Sequence, residues 1–343
     1  MVLFTLKGAL LNVKIIAEAG VNHNGDLNLA LELVDAAVDA GADIVKFQTF
    51  SAEELVTPDA GKAEYQQNAT GDDCTQQEML RRLELSQESF STINDYCLQK
   101  DIEFLSTAFD HLSLDFILRL GLKRLKIPSG ELTNLPYLRQ ICQPKLPVLL
   151  STGMSDIFEI GQAIDVLVGE GVVLSDITIL HCNSAYPTPF EDVNLRAIKT
   201  LRNEFGALVG YSDHTVGIEA AIAAVAMGAV VIEKHITLDR KLEGPDHFAS
   251  IEPQSFREMV DAIHNVSCAL GSEDKTVTNS EKNNKIAARK SIVAKKHIKT
   301  GDFFTAENLI IKRPGSGISP MYWDEIIGRQ SIKDFNKDDL IEW

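Results

Sequence analysis

Eight short apolar runs in this chain each end in residues that could do chemistry. In order they supply Glu18; Lys46 with Gln48; Ser106 with Thr107; Lys126 with Ser129 and Glu131; Ser151 with Thr152; Asn183; Ser212 with Asp213 and His214; and Glu233 with His235. Two lysines, several hydroxyls and an amide form a donor set suited to phosphate: charge from Lys, hydrogen bonds from Ser, Thr and Asn. His214 and His235 end consecutive runs, so two imidazoles could share one divalent ion and leave positions open for water and substrate. A lysine at such a position could also form a Schiff base, with Lys126 or Lys46 as the candidate. Taken singly, each of these residues has a plainer reading as a solvated loop residue, and Lys46 or Lys126 as half of a scaffold ion pair. Eight runs ending this way are harder to explain so, because burying that many polar groups is costly unless a ligand or network satisfies them. His181 lies inside an apolar run and His23 outside the set, and both read better as satisfied structural residues.

The elements that must position these groups are legible as a repeat. VKIIAEAG (13–20), DIVKFQT (43–49), IEFLSTAFD (102–110), KRLKIPSG (123–130), LPVLLSTG (146–153), ITILHCNS (177–184), ALVGYSDH (207–214) and AVVIEKH (229–235) are strand-length and rich in Val, Ile and Leu, the pattern of parallel strands covered on both faces. Between them, segments such as LNLALELVDAAVDAGA, SLDFILRLG, IFEIGQAIDVLVGEG and GIEAAIAAVAMGA carry helical spacing, several stopping at Gly. Eight strand–helix units predict a TIM-type (β/α)8 barrel, whose active site lies at the C-terminal ends of the strands, where the polar set falls. No G-x-G-x-x-G follows the first strand, which argues against dinucleotide binding. The connection from Ser51 to about Gln77 is expected to be a long functional loop.

The remainder of the chain reads as a catalytic barrel over 1–270, a polar linker over 271–285 (GSEDKTVTNSEKNNK) and a small β-rich domain over 286–343 with short runs SIVAKKHI, NLIIKR and SIKDF. The 343 residues carry 33 Lys and Arg against 49 Asp and Glu, a net charge of −16, which excludes nucleic acid and anionic membrane as default partners. The charge is uneven: from Lys282 onward 12 basic residues face 8 acidic ones. Five scattered cysteines without C-x-x-C predict neither a disulfide framework nor a thiolate metal site, and point to a reducing cytoplasm. No apolar stretch approaches membrane-spanning length, and the opening MVLFTLKGALL is read as non-secretory.

Longer motifs carry a resemblance. IIAEAGVNHNG (15–25), DIVKFQTF (43–50), KAEYQQNATG (62–71), KIPSGELTNLPYL (126–138), STGMS (151–155), LHCNSAYPTPFEDVNL (180–195), GYSDHTVG (210–217), IEKHITLD (232–239), GPDHFASIEP (244–253), ARKSIVA (288–294) and KRPGSGISP (312–320) follow one another as in the sialic acid synthase family. The sequence is most similar to the bacterial N-acetylneuraminate synthases of that family. The last two motifs resemble its small antifreeze-like (SAF) domain. The resemblance implies condensation of phosphoenolpyruvate with N-acetylmannosamine and water to give N-acetylneuraminate and phosphate by C–O cleavage. The alternative acceptor is 2,4-diacetamido-2,4,6-trideoxymannose, making the chain a legionaminic acid synthase; VKFQTF looks unlike the pseudaminic branch, and Ala185 in NSAYPTP departs from some sialate enzymes on the sugar side.

The same resemblance implies a divalent metal, Mn²⁺ before Mg²⁺ or Co²⁺, on His214 and His235. It places phosphoenolpyruvate on Lys46, Thr107, Lys126, Ser129, Ser151, Asn183 and Ser212. The sugar would lie near Gln48, Tyr186 and Asp246, and Glu18, Glu131 and Glu233 are the candidates for proton handling or for supporting the metal's ligands. A domain-swapped homodimer is implied, with Arg313 reaching the partner's sugar site. The competing classes are a Schiff-base aldolase and a non-catalytic carbohydrate- or ice-binding protein, the latter suggested only by the small domain.

Overall fold

The computed structural model describes residues 13–63, 66, 67, 71 and 74–342. The opening motif and much of KAEYQQNATG (64, 65 and 68–70) lie outside the described residues. The chain divides into two compact units, Met1–Gly271 and Ser272–Trp343.

All eight expected strands form. They are β1 (Lys14–Gly20), β2 (Ile44–Thr49), β3 (Glu103–Ala108), β4 (Leu125–Ile127), β5 (Val148–Ser151), β6 (Ile177–Cys182), β7 (Leu208–Asp213) and β8 (Val231–His235). They pair in sequence order into a closed barrel, β8 returning to β1 in parallel. This is the TIM barrel that the strand–helix repeat predicts. The core lies between barrel and helices, with Ile15, Ile16, Val45, Phe47, Leu105, Ile127, Ile179 and Ile232 inaccessible to solvent.

The helices form for ordinary reasons. Leu27–Asp39 begins where the Asp26 carboxylate accepts from the Asn28 amide and buries Ala30, Leu33, Val34 and Ala37 at helical spacing. Truncating a side chain such as Leu33 there would cost about 2–5 kcal/mol.

The connection after β2 is more structured than a bare loop. It holds a short helix, Ala52–Leu55, and runs into a capped helix, Gln76–Leu83. Met79, Leu80 and Leu83 of the latter pack with Val21, Phe50 and Ala52 into an apolar cluster separate from the main core.

In the second unit, β9 (Ser291–Ala294) pairs antiparallel with β10 (Leu309–Lys312) over a core that includes Ile292, Ile298, Phe304 and Phe335. The run SIKDF makes only an isolated bridge, Phe335 to Ile298, rather than a strand. The polar stretch read as a linker is partly helical, with a single turn at Asn279–Glu281 leading into Lys282–Ala288.

Candidate active site

The polar residues lie at or just after the last residues of their parallel strands, hence at the barrel's C-terminal end, and the register sets who meets whom. Glu18 lies opposite both Lys46 and His235, Gln48 opposite Thr107, Thr107 opposite Lys126, and Ser212 opposite Glu233. The β1–β2 register shifts between Glu18 and Gly20, a bulge that bends the strand end. Gly20 sits there at φ +56°, and a Cβ at this position would lie 3.3 Å from Gln48 Nε2 and 3.5 Å from His235 Cε1. A side chain would be strained and would crowd the site.

Four buried charges form its floor. Lys46 contacts Glu18 directly, lies 3.7 Å from Glu233 Oε2 and donates to Thr107 Oγ1 at 3.2 Å. Lys126 Nζ is 3.6 Å from Glu233 Oε1, which also accepts from Ser212 Oγ at 2.9 Å. Gln48 Nε2 donates to Glu18 Oε1 at 3.2 Å.

The two carboxylates are driven apart in acidity. Burial, reinforced by the Glu233 charge, raises Glu18 to about 7 despite Lys46. Burial also opposes charge on Glu233, but Lys126 and Lys46 outweigh it and hold Glu233 at about 2. Lys46 is raised because Glu18 and Glu233 overcome its desolvation, whereas burial keeps Lys126 below the ordinary lysine range. With Glu18 protonated, the Lys46 and Lys126 side chains face the single carboxylate of Glu233, so the pocket favours an anion although the whole chain is acidic.

The imidazoles adjoin this floor. The His214 and His235 ring centroids are 5.5 Å apart, and Tyr186 lies 4.1 Å from the first and edge-on to the second at 5.7 Å. Burial holds His214 at about 4 and His235 well below its usual range, so both rings are neutral at pH 7. His214 Nδ1 donates to the Asn183 carbonyl at 2.6 Å, which makes Nε2 the lone-pair nitrogen, facing Ser212 Oγ at 3.4 Å. His235 Nδ1 is buried without a hydrogen-bond partner, 4.0 Å from Asp246 Oδ2. Burial raises Asp246 to about 6. Among the described residues no group of three His, Cys, Asp or Glu gathers as a ready metal cage. Two neutral imidazoles, one with an orphaned nitrogen, nevertheless fit a divalent ion that takes its other ligands from substrate and water.

Two cavities meet at this point. One, of about 310 Å³, is lined by Glu18, Lys46, Lys126, Ser129, Ser151 and Ser212, among others. The second, of about 280 Å³, has an apolar wall of Val21, Phe50, Val56, Met79, Leu80 and Leu83, with Asp246 at its edge. Gln48, Phe109, Tyr186 and His235 line both. A pocket bearing the buried charges thus opens beside one with an apolar wall, with an imidazole at the junction.

The NeuB family matches residues 33–275, and the SAF domain matches residues 289–343. The chain belongs to the NeuB family. It is 48% identical to the N,N'-diacetyllegionaminic acid synthase of Campylobacter jejuni, across 95% of this chain and 98% of that protein. It is 47% identical to the synthase of the same name from Legionella pneumophila, across 98% and 95%. Among solved structures, the N-acetylneuraminic acid (sialic acid) synthetase of Leptospira borgpetersenii is 34% identical, with a TM-score of 0.70 over 83% of this chain and 94% of that one. These relatives are sugar-acid synthases.

Most residues expected to bind ligand in this NeuB-family chain converge: Glu18, Lys46, Gln48, Thr107, Lys126, Ser129, Ser151, Tyr186, Ser212, His214, Glu233 and His235 line the polar cavity. Asn183 reaches the site through its backbone. Its side-chain oxygen accepts from the Ala185 amide at 2.7 Å, and its carbonyl holds His214. Glu131 follows Ser129 and Gly130 on a single helical turn, where Asn134 donates to it at 2.5 Å; it is not among the residues lining either cavity. Arg313 belongs to the second unit and donates Nε to the Ala288 carbonyl at 3.0 Å.

Sequence reading missed two features. One is the apolar wall, for which the length of the 51–77 connection was the only signal. The other is Lys234, fully buried and donating to Asp213 Oδ2 at 2.7 Å and to the Thr215 carbonyl at 2.9 Å, which braces the turn that carries His214.

Proposed function

We propose that this NeuB-family chain condenses phosphoenolpyruvate with 2,4-diacetamido-2,4,6-trideoxymannose and water, giving N,N'-diacetyllegionaminic acid and phosphate. This replaces N-acetylmannosamine, the acceptor expected from the sequence. The observation that carries the change is the near full-length identity of 47–48% to two synthases of that name, against 34% for the sialic acid synthetase. The apolar wall of the second cavity supports it physically. A 6-methyl and a second acetamido methyl gain from contact with Met79, Leu80 and Leu83, each buried CH₂ contributing about 0.8 kcal/mol, whereas a hydroxymethyl gains little.

In this reading Lys46, Lys126 and the hydroxyls of Thr107, Ser129, Ser151 and Ser212 hold the phosphate and carboxylate of phosphoenolpyruvate in the polar cavity. The acceptor's open-chain aldehyde lies at the junction, by His235, Gln48 and Tyr186. A divalent cation on His214 and His235, Mn²⁺ before Mg²⁺ or Co²⁺, would supply Lewis-acid polarisation there. Phosphoenolpyruvate C3 attacks the aldehyde carbon, and water adds at C2 as positive character develops. Glu18 takes one proton from that water and returns it to the former aldehyde oxygen, which becomes a hydroxyl; the second water proton leaves with the phosphate. The Glu18 pKa near 7 suits exchange at neutral pH, whereas Glu233, held ionised, acts as a fixed counter-charge to the lysines. The tetrahedral intermediate expels phosphate by C–O cleavage, and the lysines stabilise the leaving group.

The test is phosphate release in Mn²⁺ with the two acceptors compared, run in ¹⁸O-water. Preference for the trideoxy sugar with label at C2 of the product is expected. Preference for N-acetylmannosamine would return the chain to the sialate branch, and label in the phosphate would sink C–O cleavage. Borohydride trapping of Lys126 or Lys46 with pyruvate would point instead to a Schiff-base aldolase. The homodimer, with Arg313 supplied to the partner's sugar site, belongs to the same proposal. Mixing inactive Arg313→Ala with inactive His235→Ala protein should restore part of the activity; no recovery would count against exchange of the small domain.

A further inference from the structure

We infer that Asn22 is a positioning residue that fixes Asp246 relative to His235 at the junction of the two cavities. Asn22 follows β1 and is 3% exposed. Its Nδ2 donates to the Ile236 carbonyl, the residue after His235, at 2.8 Å, and to Ser250 Oγ at 2.9 Å. Ser250, equally buried, passes its own proton to the Asp246 carbonyl at 2.7 Å. One carboxamide therefore ties the backbone beside His235 to the backbone of Asp246.

The neighbouring residues tie the same segment elsewhere. Asn24 Nδ2 donates to the Glu243 carbonyl at 2.8 Å, and His247 bridges Asn24 Oδ1 at 3.2 Å and Thr237 Oγ1 at 2.7 Å. Gly244, at φ +151°, packs where a Cβ would lie 2.7 Å from His247 Cδ2 and 2.8 Å from Asn24 Oδ1. The segment 243–250 is thus seated against the loop after β1 by side chains, and Asn22 is the tie whose path ends on Asp246.

Asn22 also carries a cost that a mere spacer would avoid. Its Oδ1 is buried without a partner, which lowers stability. The two donors of the same amide are the groups for which this position has a use.

The inference rests on the proposed reading of the second cavity as the acceptor subsite, so its test has one arm that needs no turnover. In Asn22→Ala and Ser250→Ala, hydrogen–deuterium exchange over 243–250 should accelerate, with β1–β4 unchanged. In turnover, the KM for the acylated sugar should rise about tenfold while the KM for phosphoenolpyruvate stays put, as expected when a distant change misplaces a binding group. The double variant should be no worse than either single one, because both cut one path, and Ser250→Thr, which keeps the hydroxyl, should behave as wild type.

Unchanged exchange over 243–250, exchange raised throughout the barrel, or equal losses for both substrates would overturn the inference. A wild-type protein that releases no phosphate with either sugar would defeat the functional proposal, while the exchange arm would still decide the role of Asn22.

Discussion

Glu18 and Lys46 are in direct contact across β1 and β2, both nearly fully buried, yet Glu18 is raised to about 7. The carboxyl is therefore neutral below that pH and ionised above it. Anion affinity should be full on the acid side and fall as pH rises through about 7, when the new carboxylate offsets Lys46. Titrating phosphoenolpyruvate by calorimetry without acceptor from pH 6 to pH 8.5 checks the direction. Glu18→Gln should flatten the alkaline fall, and a wild-type affinity that rises with pH would refute the assignment.

His235 joins the two cavities, with Nδ1 buried and lacking a hydrogen-bond partner. His235→Ala should cut turnover by about a hundredfold or more, the scale expected when support of a metal site is lost, with little change in the melting transition. Dialysis of wild-type protein against chelator should produce the same loss, and Mn²⁺ should reverse it. Full activity in chelated buffer would remove the metal from the scheme.

How far the sequence could be read depends on the range of the interactions concerned. β1 to β8 were legible because doubly covered parallel strands must be apolar along their length, and the site because its residues break that rule at the strand ends. Asn183 follows β6, but which of its groups faces His214 depends on a turn closed by the Ala185 amide. Glu131 shares its motif with Ser129, yet a helical turn carries it away from the cavities. SIKDF has strand composition, but bends at Ile332 and Lys333 separate its bonds to residues 301 and 302 from its bridge at Phe335, so no continuous strand forms. The ties from Asn22 to Ile236 and Ser250 span more than two hundred residues, beyond any local pattern.

The apolar wall should govern acceptor choice. Leu83→Gln and Met79→Gln place an amide where Leu83 and Met79 line the second cavity, 7% and 4% exposed. Each should weaken selection of the trideoxy sugar over N-acetylmannosamine by about fourfold or more, the value of one methyl group moved out of apolar contact. The ratio of kcat/KM for the two sugars reads this directly. A ratio unchanged in both variants would show that the wall does not touch the acceptor's methyl groups.

Lys234 and Asp213 form an ion pair that is almost wholly excluded from water, with Tyr211 and Thr215 also donating to Asp213 Oδ1. Burial keeps Lys234 below the ordinary lysine range although Asp213 opposes this, and such pairs are far more sensitive to losing one partner than both. Lys234→Met should destabilise the barrel by about 3–5 kcal/mol, because Asp213 is left buried and charged. Adding Asp213→Asn should recover much of that loss in urea denaturation. Turnover should not recover with it, since the Lys234 ammonium that donates to the Thr215 carbonyl, and so shapes the turn behind His214, is still missing. Recovery of stability and activity together would reduce the pair to a scaffold contact, and no recovery of stability would show that the two charges do not offset each other as the geometry requires.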